Sequence, residues 1–275
     1  MKVGNCGLYR ATDRQGSDTS INFPNVEIVE DLAFYGNVKL VSATLSKASI
    51  IGSSAFRYCS VLSDVSLPAA KTIHISAFAS CLALSTISLP EATVIGSYAF
   101  QSCTTLVSAD LPKVTKIHDS AFSQCYLLED LNLPYGCSPG AGTFYGCSHI
   151  SYWVHDSTGI YTACFQNCRN LLAVDVSTTF NATRQSMFAN CQNLSIVIIR
   201  KNGVVALSHI NCFGSTPFSS GGTGGTLYVY SAQVSAYKTA TNWATILGYA
   251  NNQTLPIEGS PYESVFADGT PINAN

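Results

Sequence analysis

The 275-residue sequence predicts an α/β solenoid built from coils of about 22 residues, each with one short parallel strand and one helical turn. The segment at residues 51–68, IGSSAFRYCSVLSDVSLP, returns almost unchanged at 73–90, 95–112 and 117–134. A Phe-x-x-Cys pair returns with it, and apolar residues cluster at the same three places in each copy. A fixed period of this length is typical of stacked units that bury one continuous core.

The Phe-x-x-Cys pairs predict what fills that core. Their members are Phe56, Phe78, Phe100, Phe122, Phe144, Phe165 and Phe188, followed three residues later by Cys59, Cys81, Cys103, Cys125, Cys147, Cys168 and Cys191. Stacked coils would align the phenylalanines in a buried ladder, in which each ring contributes roughly 1.5–3 kcal/mol. Cysteine serves as a small apolar residue, so we predict seven buried free thiols. The sequence leaves open whether Cys6, Cys137, Cys164 or Cys212 form disulfides.

Within a coil, short patterns predict the elements. Val65 and Leu67 alternate with Asp64 and Ser66, which is typical of a strand with one buried face. Pro68 ends that strand because it cannot donate the next ladder hydrogen bond. The apolar spacing of three around Phe78 predicts a helical turn.

The two ends of the chain depart from the repeat. We expect residues 1–20 to form an N-terminal cap or lead, 21–216 the solenoid, 217–258 a C-terminal capping unit and 259–275 a tail or linker. In the capping unit, residues 226–230 predict a strand and 231–247 a helix. Ser231 is its predicted N-cap, and Val234, Tyr237 and Trp243 are its predicted buried stripe.

Composition and motifs exclude several classes of function. A formal net charge of −2 argues against nucleic acid, whose phosphates need a basic face. No apolar run is long enough for a transmembrane helix, and the first residues carry no signal peptide. The sequence contains no nucleophile motif, phosphate loop or metal-ligand cluster, so we expect no enzyme activity, cofactor or metal. His74 and His118 lie two coils apart, too far to share an ion, and His155 is a predicted core residue.

The repeat Ile-Gly-x-x-Ala-Phe-x-x-Cys-x-x-Leu-x-x-Val-x-Leu-Pro resembles the BspA-like leucine-rich repeat family. The positions that carry the resemblance are Gly52, Ala55, Phe56, Cys59, Leu62, Leu67 and Pro68, which recur in later copies. The resemblance implies a right-handed leucine-rich solenoid, export to the cell surface, and adhesion to host proteins or other protein contacts. It offers no catalytic residues. Residues 225–230, with Tyr237 and Trp243, also resemble the unit that ends many such bacterial arrays.

The outward strand positions are the candidate binding surface. In their middle they carry Asp110, Asp130, Asn132, Tyr152 and Asp175, which are three carboxylates and one amide around one aromatic side chain. We expect a host or cell-surface protein, or a glycan, as partner, and an extracellular or cell-surface monomer with no membrane insertion. Two alternatives are a carbohydrate-active parallel β-helix enzyme and a structural spacer. The single strand per coil and the Ala-Phe-x-x-Cys turn count against the enzyme.

Overall fold

A computed structural model describes residues 2–3, 19–134, 136–155, 162–176, 182–249 and 251–260. Most of the predicted N-terminal lead and of the predicted tail therefore lies outside the described residues. The chain forms two compact units. The first contains Met1–Pro134 and Pro139–Cys147, and the second contains Tyr135–Ser138 and Ser148–Asn275.

Coils of the first unit contain two strands, so the prediction of one strand per coil is wrong. The three-residue strands are Ser20–Asn22, Ser42–Thr44, Asp64–Ser66, Thr86–Ser88, Ser108–Asp110 and Asp130–Asn132, arranged in two parallel three-stranded sheets. The two-residue strands form a seven-stranded sheet of Lys2–Val3, Ile28–Val29, Ile50–Ile51, Thr72–Ile73, Val94–Ile95, Lys116–Ile117 and Ser138–Pro139. Pairing joins residues that lie 22 apart, as in Ser108 with Asp130, except that Lys2–Val3 pairs with Ile28–Val29, 26 residues later.

The segment around each phenylalanine is a turn and not a helix, which makes the helical part of the prediction wrong. Ser54 and Tyr58 flank Phe56 with φ values of 54° and 63°, in the left-handed region that a 3₁₀ or α helix cannot use. The N–H groups of these three residues donate to carbonyl oxygens of the following coil at 2.7–2.9 Å. This segment is therefore a second type of hydrogen-bonded ladder between coils, and the fold is a parallel β-solenoid.

The phenylalanines stack through the core, as the repeat predicts. In the first unit, ring centroids are 4.9 Å apart for Phe34 and Phe56, 5.4 Å for Phe78 and Phe100, and 6.0 Å for Phe122 and Phe144. The interplanar angles of these pairs are 14°, 2° and 14°, within the offset-stacked geometry that aromatic pairs prefer. The ladder of the second unit contains Phe165, Phe188 and Phe213.

The second unit is built around a five-stranded parallel sheet. Its strands are Tyr152–His155, Ala173–Val176, Ile196–Ile199, Thr226–Val229 and Gln253–Pro256, and Ala182–Thr183 pairs separately with Ala206–Leu207. A 3₁₀ helix spans Ile210–Phe213. The strand predicted at 226–230 is confirmed, and it extends the sheet in register with Ile196–Ile199.

The helix predicted at 231–247 is divided in three. A 3₁₀ turn, Ser231–Gln233, precedes α helices at Val234–Thr239 and Trp243–Leu247. Asn242, with φ of 65°, separates the two α helices, and Tyr230 occupies the N-cap position predicted for Ser231. Tyr237 and Trp243 are buried as predicted, whereas Val234 is only partly buried. None of the helices in the described residues combines the length and hydrophobicity that a bilayer span requires.

Candidate functional site

The outward side chains of the six three-residue strands form a surface that we call the polar strand face. Each strand buries or half-buries its central side chain and turns its first and third outward, because successive strand residues point to opposite faces. The outward residues are Ser20, Asn22, Ser42, Thr44, Asp64, Ser66, Thr86, Ser88, Ser108, Asp110, Asp130 and Asn132. Nine carry a hydroxyl or amide and three a carboxylate, and none is apolar or basic.

Hydrogen bonds between coils order the middle of this face. Asp110 accepts from Ser88 Oγ through Oδ2 at 3.0 Å and from Asn132 Nδ2 through Oδ1 at 2.7 Å. Asp130 Oδ2 accepts from Ser108 Oγ at 3.3 Å. The structure therefore brings together three predicted site residues, Asp110, Asp130 and Asn132, on adjacent strands. Their positions are held by neighbours that lie one coil away.

The other two predicted site residues belong to the second unit. Tyr152 is partly exposed at the start of its strand. Asp175 is buried, with 3% of its surface exposed, so the prediction that it faces solvent is wrong. Ala173 and Ile198, outward by the same register, are buried as well. In this sheet, the alternation of side chains does not separate a buried from a solvated face.

Asp175 forms an internal ion pair instead of a binding surface. Its Oδ2 accepts from Arg200 Nε at 2.8 Å, and both side chains are largely shielded from solvent. Burial raises the pKa of the Asp175 carboxyl to about 6, although the neighbouring Arg200 guanidinium opposes this rise. We therefore leave Asp175 out of the candidate site.

The repeat cysteines have a role that their apolar character did not predict. The Sγ atoms of Cys59, Cys81 and Cys103 donate to the carbonyl oxygens of Phe34, Phe56 and Phe78 in the preceding coil, at 3.1–3.2 Å. Burial raises the pKa of the Cys59 and Cys103 thiols to about 12. Cys137, Cys164 and Cys212 are also buried and form no disulfide, whereas Cys6 lies outside the described residues.

The histidines do not assemble a site in the described part of the chain. No group of three or more His, Cys, Asp or Glu side chains there could hold a metal ion. His209 accepts a hydrogen bond from Asn211 N through Nδ1 at 3.0 Å, which caps the 3₁₀ helix. The side chain of His155, a predicted core residue, lies outside the description.

Sequence reasoning missed a cluster on the turn segments of the first unit. Tyr35 and Tyr58 meet edge to face with ring centroids 5.5 Å apart, and both rings are exposed. The Arg57 guanidinium lies 4.7 Å from the Tyr58 ring centroid, and its Nη2 donates to the Tyr58 hydroxyl at 3.0 Å. The available signal was Tyr58 itself, because the same place in neighbouring coils holds Gly36 and Ser80.

Comparison with known families identifies the class of protein that this geometry defines. Residues 15–107 and 93–216 match the BspA type leucine rich repeat region, in six copies. The chain therefore belongs to this leucine-rich repeat family, whose members serve in protein interaction, and the predicted resemblance is confirmed.

Several solved structures are similar to the chain. A T. pallidum leucine rich repeat protein is 26% identical over 65% of this chain and 79% of its own, with a TM-score of 0.46. A leucine rich cell surface protein from Faecalibacterium prausnitzii A2-165 is 19% identical over 88% and 79%, also with a TM-score of 0.46. The pneumococcal vaccine antigen PcpA is 13% identical over 92% and 84%, with a TM-score of 0.45. No curated protein matches.

Proposed function

We propose that this protein is a non-enzymatic interaction module of a cell-surface or secreted protein, and that it binds a basic protein surface on the polar strand face. The composition of that face supports the proposal, because its outward positions include Asp64, Asp110 and Asp130 but no lysine or arginine. Membership of a protein-interaction family supports the general role. The export that the family resemblance implies supports the location.

Electrostatic complementarity explains why a basic partner is favoured. Interfaces commonly place opposite potentials in contact, which speeds association and disfavours partners of like charge. The carboxylates of Asp110 and Asp130 are held by hydrogen bonds before any partner arrives. Less side-chain freedom is then lost on binding, and this preorganisation favours affinity.

A glycan is the second ligand class that this face supports. Its nine hydroxyl and amide side chains offer donors and acceptors that match sugar hydroxyls. A glycan that lacks positive charge would bind with little dependence on salt, whereas a basic protein would bind more weakly as salt screens the carboxylates. The salt dependence therefore separates the two ligand classes.

Arrays of extracellular-matrix proteins and glycans would test the proposal. We expect binding to basic proteins that falls about tenfold or more in the double variant Asp110→Asn, Asp130→Asn. The control is the double variant Glu27→Gln, Glu91→Gln, which also removes two negative charges from the first unit but leaves the polar strand face unchanged. An equal loss of binding in both variants would indicate general charge attraction. Full binding by both variants would show that the partner binds outside the polar strand face.

The alternatives make different predictions in the same assay. Two strands per coil remove one reason for rejecting a carbohydrate-active β-helix enzyme, so the glycan arm should also be checked for cleavage products. Membership of the leucine-rich repeat family weighs against that alternative. Binding to no array component would favour a structural spacer.

A further inference from the structure

Three bulky residues of the first unit adopt a backbone conformation that the fold normally gives to small or polar side chains. In each coil of the first unit, the residues two before and two after the ladder phenylalanine have positive φ. These places mostly hold Gly or Ser, but Leu32, Tyr58 and Tyr98 occupy three of them with φ values of 59°, 63° and 59°. Left-handed backbone costs an ordinary residue about 1–2 kcal/mol. Such strain often marks a residue kept for function.

Tyr58 differs from the other two because it belongs to a built cluster. Its ring contacts Tyr35 edge to face and supports the guanidinium of Arg57. We call Tyr35, Arg57 and Tyr58 the tyrosine–arginine patch. It lies on the turn segments of two successive coils, because Tyr35 and Arg57 occupy the same place 22 residues apart.

Arg57 has unused capacity to bind an anion. Among the described residues, its guanidinium pairs with no carboxylate, and the one hydrogen bond of its side chain goes to the Tyr58 hydroxyl. Its Nε is buried with no hydrogen-bond partner in the described structure, which leaves the terminal Nη groups to bind an external anion. Arginine held over an aromatic ring presents a planar fork of donors that matches a carboxylate.

The surroundings of the patch favour a polypeptide as the source of that carboxylate. Val38 and Val61 each follow a patch tyrosine by three residues, and they are 54% and 38% exposed. Arg57 already covers one face of the Tyr58 ring, so this ring is not open on both sides for stacking against a sugar. Tyrosine and arginine are enriched in protein-binding hot spots, and the two exposed valines add apolar surface beside them.

We propose that the tyrosine–arginine patch is a second recognition surface, which binds an acidic side chain flanked by apolar residues in a segment of a protein partner. The carboxylate pairs with Arg57, and the flanking residues pack on Tyr35, Tyr58 and the two valines. This surface is chemically opposite to the polar strand face, so the two would bind different partners.

A phage-displayed library of random peptides, selected on the intact protein, tests this directly. We expect the enriched peptides to share an Asp or Glu between apolar residues. Their affinity should fall about tenfold or more in Arg57→Gln, because a charge-assisted hydrogen bond is lost. In Tyr58→Asn, affinity should also fall, while the thermal midpoint stays equal or rises by about 2–4 °C as backbone strain is relieved.

Two controls separate recognition from general effects. Tyr98→Asn relieves the same backbone strain outside the patch and should leave peptide affinity unchanged. The Asp110→Asn, Asp130→Asn variant should also retain the peptides, which keeps this test independent of the polar strand face. Failure to enrich peptides, enrichment without an acidic residue, or undiminished affinity in Arg57→Gln would each overturn the proposal.

Discussion

The repeat cysteines are buried, and six of them join two coils by a thiol hydrogen bond: Cys59, Cys81, Cys103, Cys125, Cys147 and Cys191. The carbonyl oxygen of Phe56 accepts from the backbone N–H of Cys59 in its own coil and from Sγ of Cys81 in the next. Both lone pairs of a buried carbonyl are thus used, which limits the cost of burying it. A thiol suits this place because it is apolar enough for the core and still has a proton to donate.

The ladder thiols are expected to be unreactive in the folded protein. With a pKa of about 12 for Cys59 and Cys103, only about one molecule in ten thousand carries the reactive thiolate at pH 8. Alkylation with N-ethylmaleimide followed by peptide mass spectrometry should modify these residues only after denaturation. Modification of several of them under native conditions would contradict the buried column.

Truncating one rung of the phenylalanine ladder should destabilise the protein strongly. Phe100 is fully buried and stacks on Phe78 at 5.4 Å and on Phe122 at 5.1 Å. Phe100→Ala leaves a cavity, and we expect it to lower the free energy of unfolding by about 3–5 kcal/mol in chemical denaturation. Ile75→Ala removes an apolar side chain that is 54% exposed, and it should change stability by less than about 0.5 kcal/mol.

The predicted and observed roles of single residues differ where the surroundings decide the outcome. The ladder phenylalanines could be predicted because the same residue returns every 22 positions and must find the same environment. Asp175 could not, since strand alternation says which way a side chain points and not what covers it. Arg200, 25 residues later, was the available signal, because a buried carboxylate needs a cationic or hydrogen-bonding partner.

At the scale of the element, contact between coils explains where glycine is required. A Cβ at Gly52 would lie 2.6 Å from Asp31 N, and one at Gly96 would lie 2.7 Å from the carbonyl carbon of His74. The backbones of adjacent coils therefore approach too closely for a side chain. Next to Gly52, Asp31 Oδ1 accepts from Ser53 N at 2.6 Å, and this bond depends on the same approach.

Gly52→Ala should therefore push apart the coil that contains Gly52 and the coil that contains Asp31. The added methyl group meets backbone atoms that cannot rotate away, so we expect a loss of about 1–3 kcal/mol of stability, measured by denaturant unfolding. Gly214→Ala is the matched control, because its Cβ would lie 3.5 Å from the nearest atom, in ordinary contact. Equal stability of the two variants would show that the coils have room to adjust.

The elements could be predicted only where the pattern was long enough to read. Three-residue strands with a following Leu-Pro show apolar alternation, so Asp64–Ser66 and its equivalents were predicted. The strand Ile50–Ile51 has two residues, too few to show any period. The spacing of apolar residues by three is shared by a helical turn and by the observed left-handed turns. Only the small residues at Ser54 and Ser76 distinguish the two.

At the scale of the whole molecule, the sequence period determined the architecture, whereas the net charge concealed how charge is distributed. Across the first unit, the polar strand face has three carboxylates and no cation, although the chain as a whole is close to neutral. Lysines occur elsewhere on this unit, as in the pair of Lys113 with Glu91 at 2.6 Å. The period predicts stacking because each coil must bury its apolar side against the next. A binding partner imposes no such period, so the sequence leaves it unidentified.

The buried carboxylate of the second unit should make the stability of the protein depend on pH in an unusual direction. Asp175 has a pKa of about 6 in the folded state, against an ordinary value of 3.8. Between these values the folded protein binds more protons than the unfolded chain, so stability rises as the pH falls. The full difference corresponds to about 3 kcal/mol.

Thermal unfolding measured from pH 7.5 to pH 5 should reveal this contribution when the protein is compared with Asp175→Asn. Asparagine keeps an oxygen that can accept from Arg200 Nε but has no charge to lose, so the variant should lack this gain in stability below pH 6. Every other ionisable side chain is present in both proteins, so its contribution cancels in the difference. Parallel pH profiles of thermal stability would show that Asp175 has an ordinary pKa and that water reaches its carboxylate in the folded protein. If instead the two stabilities differ most at pH 7.5 and converge toward pH 5, Asp175 and Arg200 are both charged at neutral pH, despite the free-energy cost of removing these charges from water.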